Sequence, residues 1–154
     1  MIKNTIIDEL ISNLNKVNIY DVASKAITSQ TLNDAVDLNL EQLKDGELNN
    51  SEQLGNYAKS TEGYNAKRST KVSSNERIKF YDTGAFYRSI KAKITNKGEL
   101  KFSSSSRKLV RLREYLEDKG YGGDLLGLTD ENLNRWTDYI EEDVINELLR
   151  RINK

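Results

Sequence analysis

The sequence predicts an α+β fold, with N- and C-terminal helices packed on a small antiparallel β-sheet and a long polar arm between them. Three observations carry this. Apolar residues recur at helical spacing in the first 43 residues and again beyond residue 108. Two short alternating stretches flank Asn96-Lys97-Gly98, the pattern of a β-hairpin. About thirty residues, Glu47 to Asn75, show neither period, which is longer than an ordinary connector.

In chain order, Ile6, Ile7, Leu10, Ile11, Leu14 and Val17 follow the i, i+3, i+4, i+7 pattern of an amphipathic helix. A second helical stretch begins near Asn18, with Ile19, Val22, Ala23, Ala26 and Ile27 on one face. It continues after a break around Thr28-Ser29-Gln30 through Leu32, Val36, Leu40 and Leu43. Asp45-Gly46 reads as its stop, since Gly46 can take the left-handed conformation that ends helices. The organisation expected is a single domain: 1–46 helical, 47–75 an extended arm or loop, 76–104 a short strand, capped turn and hairpin, and 107–154 helical.

Ile78, Phe80 and Tyr81 suggest a short strand leading into Asp82-Thr83-Gly84-Ala85-Phe86-Tyr87-Arg88-Ser89-Ile90. Asp82 and Thr83 are residue types that cap helix starts, and Phe86 and Ile90, four apart, share one face of a short helix. Alternation follows over 88–95, with Ile90, Ala92 and Ile94 on one side and Lys91, Lys93 and Thr95 on the other. After the turn, Leu100 and Phe102 alternate with Lys101, and the Ser103–Ser106 run ends the second strand. A helix carrying Leu109, Val110, Leu112, Tyr115 and Leu116 stops at Gly120, Gly122 and Gly123. Leu125-Leu126-Gly127-Leu128 forms an apolar plug, and Thr129 caps a final helix whose stripe is Leu133, Trp136, Ile140, Val144, Leu148 and Ile152. Acids in its first turn and Arg150, Arg151 and Lys154 at its end suit the helix dipole.

Composition removes whole classes of chemistry. The chain has no Cys and no His, so thiolate nucleophiles, disulfides, imidazole acid/base catalysis and His- or Cys-ligated metals are excluded. Mean hydropathy is −0.72, polar for a compact globule, which favours surfaces that finish burying against a partner. No apolar run reaches membrane-spanning length, and Asp8-Glu9 interrupts any leader-like apolar stretch, so a cytoplasmic location or an assembly built there is expected.

Formal net charge is zero but unevenly spread. Residues 1–56 hold 4 basic and 9 acidic side chains (net −5), 57–113 hold 15 and 4 (net +11), and 114–154 hold 5 and 11 (net −6). A basic middle between acidic ends can neutralise within the chain, meet nucleic acid, or dock head-to-tail on another copy. The candidate contact residues for a subunit or DNA are Lys67, Arg68, Lys71, Arg107, Lys108, Arg111 and Arg113, with Arg77 and Lys79 nearby and Tyr57, Tyr64 and Tyr81 able to stack on bases.

Other sites weigh little. Glu141, Glu142 and Asp143 are consecutive and diverge around a helix, while Asp34, Asp37 and Glu41 are better spaced yet also look like a solvated face. Gly120-Tyr121-Gly122-Gly123 lacks the Lys-Ser/Thr of a phosphate loop, and Asp124 would repel phosphate. Tyr81 or Tyr87 beside basic residues lacks the His that accompanies tyrosine nucleophiles. No catalytic, cofactor-binding or metal residue is assigned.

The segment carried by Asp82, Thr83, Gly84, Phe86, Ser89 and Ile90 resembles the Asp-Thr-Gly-X-Leu-X-X-Ser-Ile motif of small virion morphogenesis proteins of tailed bacteriophages, the neck, connector or tail-completion proteins. The element order is similar too. Phe86 stands at the family's Leu position, and the Pro common before the motif is absent. The resemblance implies a structural virion protein without enzymatic activity. It would be assembled in the host cytoplasm into a ring at the head–tail junction, contacting copies of itself, the portal or other neck and tail proteins, and DNA in a channel. The alternative is a non-enzymatic nucleic-acid-binding accessory protein using the basic segment 57–113.

Overall fold

The computed structural model describes residues 12–65 and 72–153. Its order is helical residues 12–16 (α1), α2 (Ile19–Ala26), α3 (Ser29–Lys44), α4 (Lys59–Asn65), α5 (Ala85–Arg88), β1 (Ile90–Ile94), β2 (Leu100–Ser104), α6 (Lys108–Asp118) and α7 (Asp130–Ile152). The fold is α+β, with helices around a two-stranded antiparallel sheet. The expected first helix lies outside the described residues up to residue 11.

The break expected near Thr28 is a helix start. The Thr28 hydroxyl accepts the Thr31 N–H (3.3 Å) and the Thr31 hydroxyl accepts the Thr28 N–H (2.9 Å), a reciprocal cap that satisfies two backbone donors. At the other end Gly46 has φ +70 and lies against Arg77 and the Ile78 carbonyl.

Helix α3 is the centre of the molecule because two of its sides face two apolar clusters. Leu43 joins Leu48, Leu54, Phe86, Ile90, Leu109, Leu116 and Leu125 in one. Ala35 and Leu38 join Trp136 and Ile140 of α7 in the other, against Ala92, Ile94, Leu100 and Phe102 from the inner face of the hairpin. The hairpin register sets Ile90 opposite Ser104, Ala92 opposite Phe102 and Lys93 opposite Lys101. Alternation thus buries one face on the helices and leaves the other in water.

A buried polar network fixes where α7 leaves the plug. Asn39 Nδ2 donates to the Leu125 and Gly127 carbonyls (3.0 and 2.9 Å). Gln42 Oε1 accepts from the Thr129 N–H and Asn132 Nδ2, both at 2.9 Å. Thr129 caps α7 as expected, its hydroxyl accepting the Asn132 N–H. Asn39 Oδ1 is the single buried side-chain nitrogen or oxygen without a hydrogen-bond partner among the described residues.

The last turn of α7 grips α2. Arg151 reaches Asp21 (2.6 Å) and Glu147 (2.8 Å), and Arg150 takes Glu147 through two bonds of 2.8 Å. Hydrogen bonds from Arg150 and Arg151 pull the Glu147 carboxyl down to about 2, from an ordinary 4.5, and the Arg151 hydrogen bond lowers Asp21. A depressed carboxylate stabilises the fold above its unfolded value, and that stability is lost as pH falls through the folded one. Thermal melts should therefore lose stability as pH drops from about 4.5 towards 2, and Glu147→Gln should flatten that dependence.

Four expectations are corrected. Residues 78–81 form no strand: antiparallel pairing with the 55–57 loop stops at one bridge, Asn56 to Arg77, closed by the Ile78 N–H on the Gly55 carbonyl; the Lys79 N–H goes to the Tyr57 hydroxyl and Phe80 has φ +49. Residues 47–57 do not reach away as an arm, because Leu48 and Leu54 are 0% and 3% exposed in the main cluster, and 59–65 is helical. Strand β1 spans Ile90–Ile94 instead of 88–95, whereas β2 ends at Ser104, inside the Ser103–Ser106 run as expected. Leu133, placed on the stripe of the final helix by its spacing, is 41% exposed, and Val110 of α6 is 63% exposed.

Candidate functional site

The Asp82–Ile90 segment is a joint. Helix α5 starts at Gly84, whose φ of +74 only glycine takes without strain, so Asp82 and Thr83 are not its N-cap. The Thr83 hydroxyl still accepts the Ala85 N–H, and Asp82 instead receives Lys108 Nζ at 3.2 Å from the start of α6. A Cβ at Gly84 would meet the Tyr81 hydroxyl at 2.9 Å and Arg88 Nη1 at 2.8 Å. Gly84→Ala should cost about 1–2 kcal/mol from the left-handed backbone alone, read as a lower urea midpoint.

Past the turn, Phe86 and Ile90 are buried in the main cluster. The Ser89 hydroxyl bonds the Phe86 carbonyl and the Ser104 hydroxyl, each at 2.6 Å, tying the end of α5 to the end of β2. Tyr87 packs edge-on to Tyr81 and donates its hydroxyl to the Lys79 carbonyl at 2.6 Å. Burial pushes its phenol far up, so it stays protonated and is spent on the backbone.

The basic candidates divide. Lys67, Arg68 and Lys71 lie outside the described residues, as does the Tyr64 side chain. Lys108 is paired with Asp82, and Arg113 grips Asp124 through two bonds of 3.0 and 2.5 Å. Arg107 and Arg111 are exposed and carry no ion pair among the described residues. Arg77 is exposed, Lys79 pairs with Glu76, and Tyr57 accepts the Lys79 N–H.

Sequence reasoning did not single out the outer face of the hairpin. Lys91, Lys93 and Lys101 are all exposed, Lys93 lies directly across from Lys101, and none has an ion pair among the described residues. Like charges facing across a ladder cost stability. Alternation in both strands was the available signal, once the register set by the 96–98 turn is known.

The glycine loop after α6 does bind an anion, but an internal one. The Gly122 and Gly123 N–H groups donate to Glu52 at 2.8 and 2.7 Å, and Asn50 adds a third bond. These donors hold the Glu52 carboxyl below its usual range, the Asn50 bond foremost. With Asn49 bridging to Asp124, this clasp closes the 47–55 loop onto the plug.

Asp34 and Glu41 are engaged by Gln30 and Arg135, and no group of three or more His, Cys, Asp or Glu among the described residues could hold a metal. An open cleft of about 480 Å³ lies between Tyr57, Thr61, Ile78, Phe80, Tyr115 and Lys119. No described helix is long and apolar enough to cross a membrane. No family model, curated protein or solved structure matches the chain.

Proposed function

We propose that this chain is a structural virion protein of a tailed bacteriophage, a ring-forming neck, connector or tail-completion subunit at the head–tail junction. The observation that carries the reading is the Asp82–Ile90 joint. Its motif residues are spent on placing the hairpin against the helical body: Gly84 makes the turn, Phe86 and Ile90 anchor it, Ser89 ties it to β2, and Asp82 pins α6. The basic hairpin it positions supports the reading further, since a charged surface held on a rigid base suits repeated protein contacts or the wall of a DNA channel.

In this reading the partners are copies of the chain, the portal or other neck and tail proteins, with DNA touched through its phosphates alone. Disrupting the gene in the phage that carries it should leave filled heads and finished tails unjoined. Normal, infectious particles from the disrupted phage would overturn the proposal.

A further inference from the structure

We infer that the lysine face of the hairpin docks on the acidic outer stripe of α7 of a second copy, head-to-tail. This rests on the reading of the chain as a ring-forming subunit. Glu131, Asp138 and Glu142 recur at i, i+7 and i+11, which at about 100° per residue puts them within one narrow stripe of α7. All three are exposed and have no ion pair among the described residues. Ile145 and Leu149 extend the same stripe and are 46% and 50% exposed, adding apolar area to the acids.

The placement of the two charged surfaces decides the mode of contact. Trp136 and Ile140 join Ala35 and Leu38 of α3 in the cluster on which the inner face of the hairpin packs, and the acidic stripe lies on the opposite side of α7 from them. Lys91, Lys93 and Lys101 lie on the hairpin face turned away from those helices. One body therefore carries its positive surface on one side and its negative surface on the other. They cannot neutralise each other within a chain, and a two-fold dimer would set like against like. Head-to-tail docking matches every lysine face to an acidic stripe and leaves none unpaired when the ring closes. A chain with 24 basic and 24 acidic side chains has no net repulsion to oppose it.

The test is sedimentation of the purified full chain at low and high salt. The wild type should associate at low salt and shift to monomer at high salt. The triple variant Lys91→Glu, Lys93→Glu, Lys101→Glu should sediment as monomer, as should Glu131→Lys, Asp138→Lys, Glu142→Lys. Mixing the two should restore association, because each then supplies the surface that complements the other. Lys93→Glu alone sets unlike charges across the hairpin, so it should weaken association without lowering the melting temperature, which separates lost docking from lost folding. A wild type that is monomeric at both salts, or a mixture that stays monomeric, overturns the contact. Loss confined to the lysine variant, together with lost binding of duplex DNA, assigns that face to nucleic acid and also overturns it. These outcomes are read on isolated protein, whereas the place of the chain in a virion is read on particles, so either can fail alone.

Discussion

Trp136→Ala is expected to remove about 3–5 kcal/mol of stability, the largest loss from any single truncation in the second cluster. Trp136 is 5% exposed and packs with Ala35, Leu38 and Ile140 against the inner residues of the hairpin. Its indole N–H also donates to the Thr31 carbonyl at 2.7 Å, joining α7 to the first turn of α3. Truncation opens a cavity where three elements meet and removes the indole bond, leaving the Thr31 carbonyl with its helical partner alone, so lost packing and a lost hydrogen bond act together. Trp136→Phe keeps most of the packing and loses the bond, and should cost about 1–3 kcal/mol. Urea unfolding followed by circular dichroism reads both. An alanine variant within about 0.5 kcal/mol of the wild type, the range of ordinary surface changes, would contradict this packing.

Leu48→Ala should cost about 2–5 kcal/mol, and this separates a packed loop from a projecting arm. Leu48 is 0% exposed among Leu43, Leu54 and Leu125. Its N–H bonds the Glu52 carbonyl, and the loop is closed by the Glu52 bonds to Gly122 and Gly123. A leucine on an arm in water would be replaced at almost no cost. Glu52→Gln, which keeps the shape but loses the charge that the two amides and Asn50 favour, should lower stability at neutral pH and leave little difference at acid pH, where the wild-type carboxyl is also neutral.

What was legible in the sequence was whatever repeats with a period or punctuates one. The stripe Trp136, Ile140, Val144 on α7, the Thr129 cap and the Gly46 stop were readable, because periodicity and caps are local properties. So was the hairpin, through alternation on both sides of residues 96–98. The 47–57 loop was not, since Leu48 and Leu54 are buried by contact with distant residues such as Leu125, and two leucines in a polar run carry no period. Residues 78–81 misled for the complementary reason: β-favouring residues there follow a pairing with the 55–57 loop that ends after one bridge, at Asn56 and Arg77. Asn39, Gln42 and Asn132 read as polar helix positions, yet they are buried because carbonyls from the plug come to meet them.

The site was half legible. The joint at Asp82–Ile90 stood out as a motif, although its cap fell on Gly84 because the chain must enter α5 from a left-handed turn. The charge segregation was visible as a block of sequence, but not that folding would pair Lys108 and Arg113 and leave Lys91, Lys93 and Lys101 without an ion pair among the described residues. Pairing depends on which acids the fold brings near, and Asp82 and Asp124 come from other elements.

The most direct test of the central claim is electron cryomicroscopy of purified particles from the phage that encodes the chain. The expected result is a ring of copies at the head–tail junction, with residues 90–104 of each copy against 130–152 of the next. Particles whose junction contains no density for this chain, and whose protein content lacks it, would contradict the account.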